Sequence, residues 1–384
     1  MNTHVCLVSA QLIPNVLPVL AERPRQAVLL ITPQMENQGR LLEKFFRERG
    51  VQTVSYPIPA YDFAGVLAVC KTVIQKFCTT DEPIITLNVT GGTKVAALAA
   101  YQQFYFASQR IIYTDTANER VLELGDTPTV IPLAKNLLKV KDYLACYGKH
   151  YSQVIAGPSP ALVRQRRQIT ARLCKIFLQS PETLRELNYQ ISECRNKGLQ
   201  SSCTLAIRHL QGQGAQIGDL LVQGGIATPV MDGQVYIDTE ESLFYLGGGW
   251  LEEFVYNTIV DMSVPGLDCR LNVHIEWLTP HTPKTRNELD IVFIHRNRLH
   301  IVSCKTSGID RGGPDSPKGK EALYELDSMA DNIGGLFARS MLLSAHAPQK
   351  ASRQRAKDLG IEIVAGRDIL ALGHRLRQIW DIGK

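Results

Sequence analysis

The sequence predicts an α/β protein with two larger α/β regions and a smaller helical region between them. Over the first ~150 residues, apolar runs alternate with stretches of helical periodicity, which is typical of a parallel sheet covered by helices. A second series of helix and strand patterns begins near residue 246. Between the two series, strands are sparse and Gly157-Pro158-Ser159-Pro160 has the composition of a linker. We therefore expect three regions, at residues 1–148, 149–245 and 246–384.

Composition and charge are those of an ordinary globular protein. The 384 residues are 45% hydrophobic and 21% charged, and the chain is too long for one ordinary core. No apolar run reaches the ~20 residues of a membrane span, and no signal-peptide pattern is present, so we expect a cytoplasmic protein without a membrane partner. The nine cysteines form no Cys-x-x-Cys pair, which predicts reduced thiols and no zinc site. A net charge of +5 is compatible with an anionic partner.

The first region has the pattern of a doubly wound, Rossmann-like domain. Its predicted buried strands are His4–Val8, Ala27–Ile31, Val51–Tyr56, Ile84–Val89 and Arg110–Thr114. Its predicted helices lie around Gln38–Arg49, Phe63–Phe77 and Lys94–Ala107. Sheets of this kind bind ligands beyond the carboxyl ends of their strands.

A glycine-rich turn lies at that edge, in Asn88-Val89-Thr90-Gly91-Gly92-Thr93-Lys94. Gly91 and Gly92 allow close backbone approach, and Thr93 and Lys94 open a helix whose free N–H groups attract phosphate. The string is neither the dinucleotide fingerprint nor an ATP-binding P-loop. It predicts a phosphate-binding turn of another kind, with a purely structural strand-to-helix turn as the alternative.

In the last region, two strands carry charged residues close together: Asn287-Glu288-Leu289-Asp290 and Ser303-Cys304-Lys305. The polar run His295–Arg298 between them predicts a hairpin turn. Because side chains alternate along a strand, Asp290 should lie beside Ser303 and Lys305 on one face. The pair of Asp290 and Lys305 suits metal-assisted phosphodiester cleavage, in which oxygen ligands hold Mg²⁺ or Mn²⁺ and the lysine positions water or neutralises phosphate charge. A surface salt bridge on an ordinary hairpin is the alternative.

Upstream, a predicted helix follows Gly247-Gly248-Gly249 and carries Glu252 and Glu253 in its first turns. The two glutamates could serve a metal, or they could simply favour the positive end of the helix. The order of helix glutamate, strand aspartate and strand lysine resembles the PD-(D/E)XK nuclease superfamily. The resemblance implies a metal held by Glu252, with Glu253 as the substitute, by Asp290 and by the carbonyl of Cys304. It also implies that Lys305 assists catalysis.

Two further strand positions complete this expected site. Glu288 lies two residues before Asp290 on the same strand face and should support the metal or its waters. Ser303 stands where the superfamily usually has Glu or Asp. Since serine supplies no negative charge, we expect the metal to bind weakly.

The string Thr90-Gly91-Gly92-Thr93-Lys94 resembles the CARF domain, a Rossmann-like sensor of cyclic oligoadenylates in type III CRISPR immunity. The resemblance covers most of residues 1–145 and implies that all five of these residues contact the ligand. It places the other ligand loop after the first strand, where Ser9, Gln11 and Asn15 are the candidates. CARF domains pair about a two-fold axis around one ligand, which implies a homodimer.

A CARF-like region followed by a PD-(D/E)XK-like region on one chain resembles the CARF-fused PD-(D/E)XK nucleases. The resemblance implies an endonuclease activated by a cyclic oligoadenylate, with cyclic tetra-adenylate as the first choice. The enzyme would use Mn²⁺ or Mg²⁺ and cleave DNA, RNA or both. Two alternatives stay open: a ligand-responsive DNA-binding regulator with an inactive nuclease fold, and a ring nuclease that cleaves the cyclic nucleotide in the sensor pocket.

The middle region carries a predicted amphipathic helix, Arg164–Leu178, whose arginines lie on its polar side: Arg164, Arg166, Arg167 and Arg172. A second helix is predicted at Thr183–Glu193, followed by a hairpin of Leu220–Gly225 and Gln234–Ile237. Helices followed by a hairpin resemble a winged helix that contacts DNA. A spacer with solvated charges is the interpretation we favour.

Overall fold

The computed structural model describes residues 3–81, 83–153, 158–196, 203–210, 212–277, 286–310 and 317–383. Residues 154–157, which include Gly157 of the predicted linker, lie outside the described residues. Within the described part there are three sheets, of seven, three and six strands. No helix in that part is long and apolar enough to cross a membrane. All nine cysteines are free thiols, as predicted.

The first sheet has the strand order β3-β2-β1-β4-β5-β6-β7. Its strands are β1 (Thr3–Leu7), β2 (Gln26–Ile31), β3 (Gln52–Pro57), β4 (Thr86–Asn88), β5 (Arg110–Asp115), β6 (Arg120–Leu124) and β7 (Thr129–Pro132). Its helices are α1 (Ile13–Glu22), α2 (Glu36–Arg47), α3 (Phe63–Phe77), α4 (Lys94–Phe106) and α5 (Val140–Cys146). The first five strands are parallel, and β6 and β7 extend the sheet antiparallel. This confirms the Rossmann-like domain and places its switch point between β1 and β4.

The chain next forms β8 (Lys149–Gln153), and then a compact middle region. The elements of that region are α6 (Pro160–Gln165), α7 (Arg167–Gln179), α8 (Pro181–Asn196), β9 (Cys203–Leu205), α9 (Gly214–Gln223), β10 (Thr228–Val230), β11 (Gln234–Ile237) and α10 (Glu240–Phe244). The prediction of a strand at Leu220–Gly225 is wrong. Ile217, Leu220 and Leu221 fall at helical spacing and are buried together, so this stretch ends α9, and the hairpin is β10–β11.

The third sheet has the order β16-β15-β14-β13-β12-β8. Its further elements are α11 (Trp250–Asp261), β12 (Asp268–Trp277), β13 (Arg286–His295), β14 (Arg298–Lys305), α12 (Pro317–Gly334), β15 (Arg339–Ser344), α13 (Lys350–Asp358), β16 (Glu362–Ala365) and α14 (Leu372–Trp380). The hairpin predicted around His295–Arg298 is β13–β14. The edge strand β8 comes from the start of the predicted middle region, yet it pairs with β12 of the last region.

The β13–β14 turn holds the third sheet against the first domain. Arg296 and Asn297 both have positive φ, 55° and 57°, which is the backbone of a two-residue type I′ hairpin. The Asn297 amide accepts from the N–H groups of Leu137 (2.8 Å) and Leu138 (3.2 Å) and donates to the carbonyl of Ala134 (2.7 Å). This turn is therefore a fixed contact between the two larger domains.

Candidate functional site

A kink at the glycine triplet positions the start of α11. Gly248 has a φ of +153°, which other residues rarely adopt, and a Cβ on it would lie 3.5 Å from Oγ1 of Thr306. Helix α11 therefore begins close to the end of β14. This approach brings Glu252, in the first turn of α11, into electrostatic contact with Lys305.

Asp290 and Ser303 lie side by side, as the alternation of strand side chains predicted. The Asp290 carboxylate accepts hydrogen bonds from the Ser303 hydroxyl (3.2 Å) and from the N–H of Cys304 (2.6 Å). The carbonyl of Lys305 accepts from the N–H of Ala345 (2.8 Å), directly after β15. Because successive carbonyls point to opposite sides of a strand, the Cys304 carbonyl faces the Asp290 side.

Negative charge is concentrated around this pair. Burial raises the pKa of Glu252 well above its usual value, and the carboxylates of Asp290 and Glu288 raise it further, against the lowering effect of Asn272 and Lys305. Burial also raises the pKa of Asp290, although Lys305 and the Cys304 N–H oppose it. One carboxylate oxygen of Glu252, Oε2, is buried without a hydrogen-bond partner. A divalent cation would neutralise these groups and bind that oxygen, so the residues fit a metal.

Carboxylates alone do not complete such a site. Among the residues that the structure describes, no three His, Cys, Asp or Glu side chains are grouped so that they could hold a metal ion. Glu288 lies to one side, with its carboxylate 3.5 Å from Nε2 of His274. The ligands would therefore have to include the Cys304 carbonyl and water as well as Glu252 and Asp290.

A small cavity of about 50 Å³ opens beside this cluster. Its polar lining comes from Glu288, Asp290, Ser303 and Lys305 and, from α12, Glu325. Glu325 was absent from the predicted site, although it lies on the helix that follows the lysine strand in sequence. The local pattern marks it only as a polar helix position, and packing of α12 against β14 places it at the cavity.

Glu253 does not join the cluster, which corrects the expectation that it could replace Glu252. Its carboxylate is nearly fully buried and hydrogen-bonded to the guanidinium of Arg166, which also binds Glu241 at 2.9 Å. The same guanidinium lies over the Tyr245 ring, 4.4 Å from its centroid. The prediction that Arg166 lies on the polar side of a continuous helix is therefore also wrong: it is 5% exposed and sits at the break between α6 and α7.

In the first domain, the loops after β1 and β4 meet at the switch point of the sheet. A Cβ on Gly91 would lie 2.0 Å from the carbonyl oxygen of Leu7 and 3.2 Å from Oγ of Ser9, so the turn can pass the end of β1 only as glycine. Gly92 has a φ of +78°, which also favours glycine. The structure thus brings Ser9 together with the glycine turn.

Thr93 and Lys94 begin α4 as predicted. The Thr93 hydroxyl accepts from the N–H of Ala96 (3.1 Å) and caps the helix. The Lys94 ammonium is exposed and has no hydrogen bond or ion pair within the described part of the chain. The start of α4 therefore combines free backbone N–H groups with an unpaired positive charge. This combination is suited to binding a phosphate.

Other predicted ligand residues have internal roles instead. Asn15 is fully buried, donating to the Leu7 carbonyl (2.8 Å) and accepting from Asn88 (3.1 Å). The Thr90 hydroxyl donates to Asn88 (2.6 Å) and accepts from the N–H of Thr114 (2.7 Å). Both side chains therefore hold the strand ends in place. A cavity of about 250 Å³ at the carboxyl ends of β2 and β3 includes none of the predicted ligand residues.

Comparison with known proteins identifies both larger domains. Residues 3–143 match the family described as the Card1 CARF domain, and residues 239–381 match the Card1-like endonuclease domain. The chain belongs to the CARF-fused nuclease family. A search of curated proteins found no match.

Solved structures of similar proteins share the fold over most or all of this chain. Can2 from Sulfobacillus thermosulfidooxidans, solved with cyclic tetra-adenylate, is 26% identical with a TM-score of 0.77, over 98% of this chain and 99% of that one. Protein VC1899 from Vibrio cholerae has the same fold at 24% identity, with a TM-score of 0.84 over 99% and 98% of the two chains. A type III CRISPR defence DNA nuclease activated by cyclic oligoadenylate has a TM-score of 0.57 at 22% identity, over 91% of this chain and 47% of that one.

Proposed function

We propose that this chain is a divalent-metal-dependent endonuclease switched on by a cyclic oligoadenylate. The observation that carries the proposal is the convergence of Glu252, Asp290 and Lys305 at the end of β14, in a chain that also has the glycine turn of a CARF domain. The proposed activator is cyclic tetra-adenylate, because the similar protein Can2 was solved with that ligand.

In the proposed reaction, Glu252, Asp290 and the Cys304 carbonyl hold the metal, with Mn²⁺ preferred to Mg²⁺. When bound, the ion would polarise the phosphate and lower the pKa of a water molecule. Lys305 places a positive charge where the phosphate gains negative charge. Ser303 cannot bind the metal as a carboxylate would, but its hydroxyl holds the Asp290 carboxylate in orientation.

Glu325 supplies the carboxylate that Ser303 does not. It reaches the same cavity from α12 and faces Lys305 and Asp290 across it. In our proposal it would hold a water molecule of the metal site, since its exposed position suits an outer role better than direct contact with the ion. Glu288 supports the same waters from β13.

On the sensor side, we propose that Gly91, Gly92, Thr93 and Lys94 bind one phosphate of the ring, with Ser9 at its border. A homodimer would present two such turns to one cyclic ligand, which suits a two-fold arrangement. Asn15 and Thr90 hold the turn in place without contacting the ligand. Gln11 lies against Gly335, at the end of α12, and in our proposal it connects the loop to the nuclease domain.

DNA is the proposed substrate, with RNA as the second candidate. The similar type III defence nuclease acts on DNA, which favours this order. A DNA-binding regulator is less well supported. Helix α9 occupies the place of a winged helix's recognition helix, yet its sequence, Gly214–Gln223, contains no lysine or arginine to contact phosphates.

The experiment is cleavage of supercoiled plasmid and of single-stranded RNA by the full chain, with and without cyclic tetra-adenylate, in Mn²⁺ or EDTA. We expect DNA nicking that requires both metal and ligand. Asp261→Asn, on the exposed end of α11, is the control for loss of a carboxylate. Linearised cyclic nucleotide without nucleic-acid cleavage would instead identify a ring nuclease and contradict the proposal.

A further inference from the structure

A second polar cavity lies at the far end of β14 from the nuclease site. Its volume is about 210 Å³, and it is formed by the turn after β5, the β13–β14 hairpin, Arg339 and the end of α14. At about 3.3 Å per residue, Arg298 lies roughly 23 Å along the strand from Lys305. The cavity is therefore separate from the nuclease site, and its lining includes no residue of the glycine turn.

Arginine side chains dominate its lining. Arg296 is 2.6 Å from the carboxylate of Glu119 and is thereby neutralised. Arg298 and Arg339 also line the cavity, and neither side chain has a hydrogen bond or ion pair within the described residues. Both are partly buried. A guanidinium that is partly removed from water and has no carboxylate partner gains free energy when an anion binds to it.

Neighbouring groups are affected by the same excess of positive charge. Burial, followed by the charges of Arg296, Lys135 and Arg339, lowers the pKa of His295 to about 4, and Asp381 opposes this only in part. Burial and then the charge of Arg339 also lower the pKa of Arg298. The acidic residues at the cavity, Glu119 and Asp381, do not balance its cations.

The cavity walls are fixed before any ligand binds. Asn297 fastens the hairpin to the backbone of residues 134–138 through three hydrogen bonds. His300 is buried and stacked on Phe293, with ring centroids 4.6 Å apart, and packs against Trp380 at 4.8 Å. A preformed site of this kind loses little conformational entropy on binding.

We propose that this cavity binds a phosphate group through Arg298 and Arg339. The planar guanidinium matches phosphate oxygens in a bidentate manner, which a hydrated chloride cannot exploit. The volume is below the ~300 Å³ of typical drug-sized sites, so it suits a phosphate or pyrophosphate group rather than a whole dinucleotide. The group would belong to a free nucleotide or to the end of a nucleic-acid strand.

The test uses binding, which does not depend on the proposed nuclease activity. Inorganic pyrophosphate is titrated into the full chain in EDTA, followed by calorimetry and by the fluorescence of Trp380, which lines the cavity. Arg298→Gln and Arg339→Gln should each weaken binding about 10- to 100-fold. Arg375→Gln, an exposed arginine on α14 paired with Asp368, is the matched control and should bind as the parent does.

The Arg298→Lys variant separates the effect of geometry from that of charge, because lysine keeps the positive charge but lacks the planar guanidinium. This variant should bind pyrophosphate more weakly than the parent. Competition with ATP, and with a short DNA strand carrying or lacking a 5′-phosphate, identifies the source of the group. Displacement by either phosphate-bearing competitor supports the site. No binding of millimolar pyrophosphate by the parent, or equal binding by folded Arg298→Gln and Arg339→Gln proteins, would overturn the proposal.

Discussion

Gln11 and Gly335 are in contact across the boundary between the sensor and nuclease domains. A Cβ on Gly335 would lie 2.4 Å from Oε1 of Gln11, and Gly335 has a φ of +55°. Gln11 lies in the loop after β1, and Gly335 directly follows α12, which carries Glu325 to the nuclease cavity. The hydroxyl of Tyr143 also donates to the carbonyl of Gly334 (3.1 Å). A shift of the sensor loop would therefore act on the end of α12.

Gly335→Ala should uncouple the two domains. The new Cβ overlaps the Gln11 amide, and alanine at this φ costs on the order of 1 kcal/mol. We expect the ratio of ligand-stimulated to basal cleavage to fall by about 5-fold, in line with typical coupling energies. Gln11→Ala in the same protein should recover part of the loss, because it removes the overlap. An unchanged ratio in folded Gly335→Ala protein would contradict this coupling.

Lys94→Ala should weaken activator binding without damaging the nuclease site. Loss of a charge-assisted phosphate contact should raise the ligand concentration for half-maximal cleavage by about 10-fold. At saturating ligand, the cleavage rate should approach that of the parent. Titration of cyclic tetra-adenylate against plasmid cleavage measures both quantities. Lys71→Ala, which removes an exposed lysine from α3, is the control, and an equal midpoint in the two variants would exclude Lys94 from the sensor site.

Asp290→Asn and Lys305→Ala should each lower cleavage at least about 100-fold, the usual effect of removing one electrostatic catalytic group. Asparagine retains an oxygen for the Cys304 N–H, so we expect the fold to persist. Circular dichroism and the activator affinity provide the checks on folding. If either folded variant cleaved plasmid at the parent's rate, Asp290 and Lys305 would have no catalytic role.

Ser303→Glu should strengthen Mn²⁺ binding, and Glu325→Gln should weaken it. A glutamate at position 303 adds a carboxylate next to Asp290, so in EDTA this variant should melt at a lower temperature than the parent because of charge repulsion. Mn²⁺ should reverse that difference. Calorimetric titration of Mn²⁺ into the parent, both single variants and the double variant tests the assignment. Identical affinities for the parent and Glu325→Gln would remove Glu325 from the metal site.

Stability below pH 4.5 should depend on Glu22, at the amino end of the first sheet. Burial tends to raise the pKa of Glu22, but hydrogen bonds from His4 and Arg110 outweigh it and lower the pKa to about 2. A depressed carboxyl pKa stabilises the fold above the unfolded value of 4.5, and this stability is lost as the pH falls towards 2. The effect corresponds to about 3 kcal/mol. The free energy of unfolding in urea, measured between pH 2.5 and 6, should change less with pH in Glu22→Gln than in the parent. The same pH dependence in both proteins would contradict this.

Local patterns predicted the parts of this molecule that depend on near neighbours. Strands β1 and β2 are buried runs, as predicted, and the approach of Asp290 to Ser303 follows from the two-residue strand period and one short turn. The prediction of a buried strand at Val51–Tyr56 is wrong in its burial, because β3 lies at the edge of the sheet and is exposed or half-buried along its length. The strands β6 and β7 were missed because they are short, and β7 is exposed along its whole length. They lack the buried apolar pattern on which the prediction depends.

Contacts between distant parts of the chain were not predictable in this way. Arg166 and Glu253 are 87 residues apart, and nothing local distinguishes a buried ion pair from two surface charges. Asn15 and Asn88 are 73 residues apart, so Asn15 could equally have faced a ligand. Glu325 reaches the nuclease cavity only through the packing of α12. Sequence periodicity shows which face of a helix or strand a residue lies on. Only the tertiary structure determines what packs against that face.

The position of β8 limits how this chain could be divided or recombined. Residues Lys149–Gln153 follow the sensor domain directly, yet they pair with Val273–Trp277 and form the outer edge of the nuclease sheet. A nuclease fragment that begins at residue 158 would leave the β12 edge with unpaired N–H and C=O groups. Such an exposed edge favours edge-to-edge aggregation. Chimeras with a sensor from another protein should therefore keep residues 149–153 with the nuclease half. In this architecture the strand that leaves the sensor domain is part of the nuclease sheet, so the two domains cannot be separated at residue 148 without damage to that sheet.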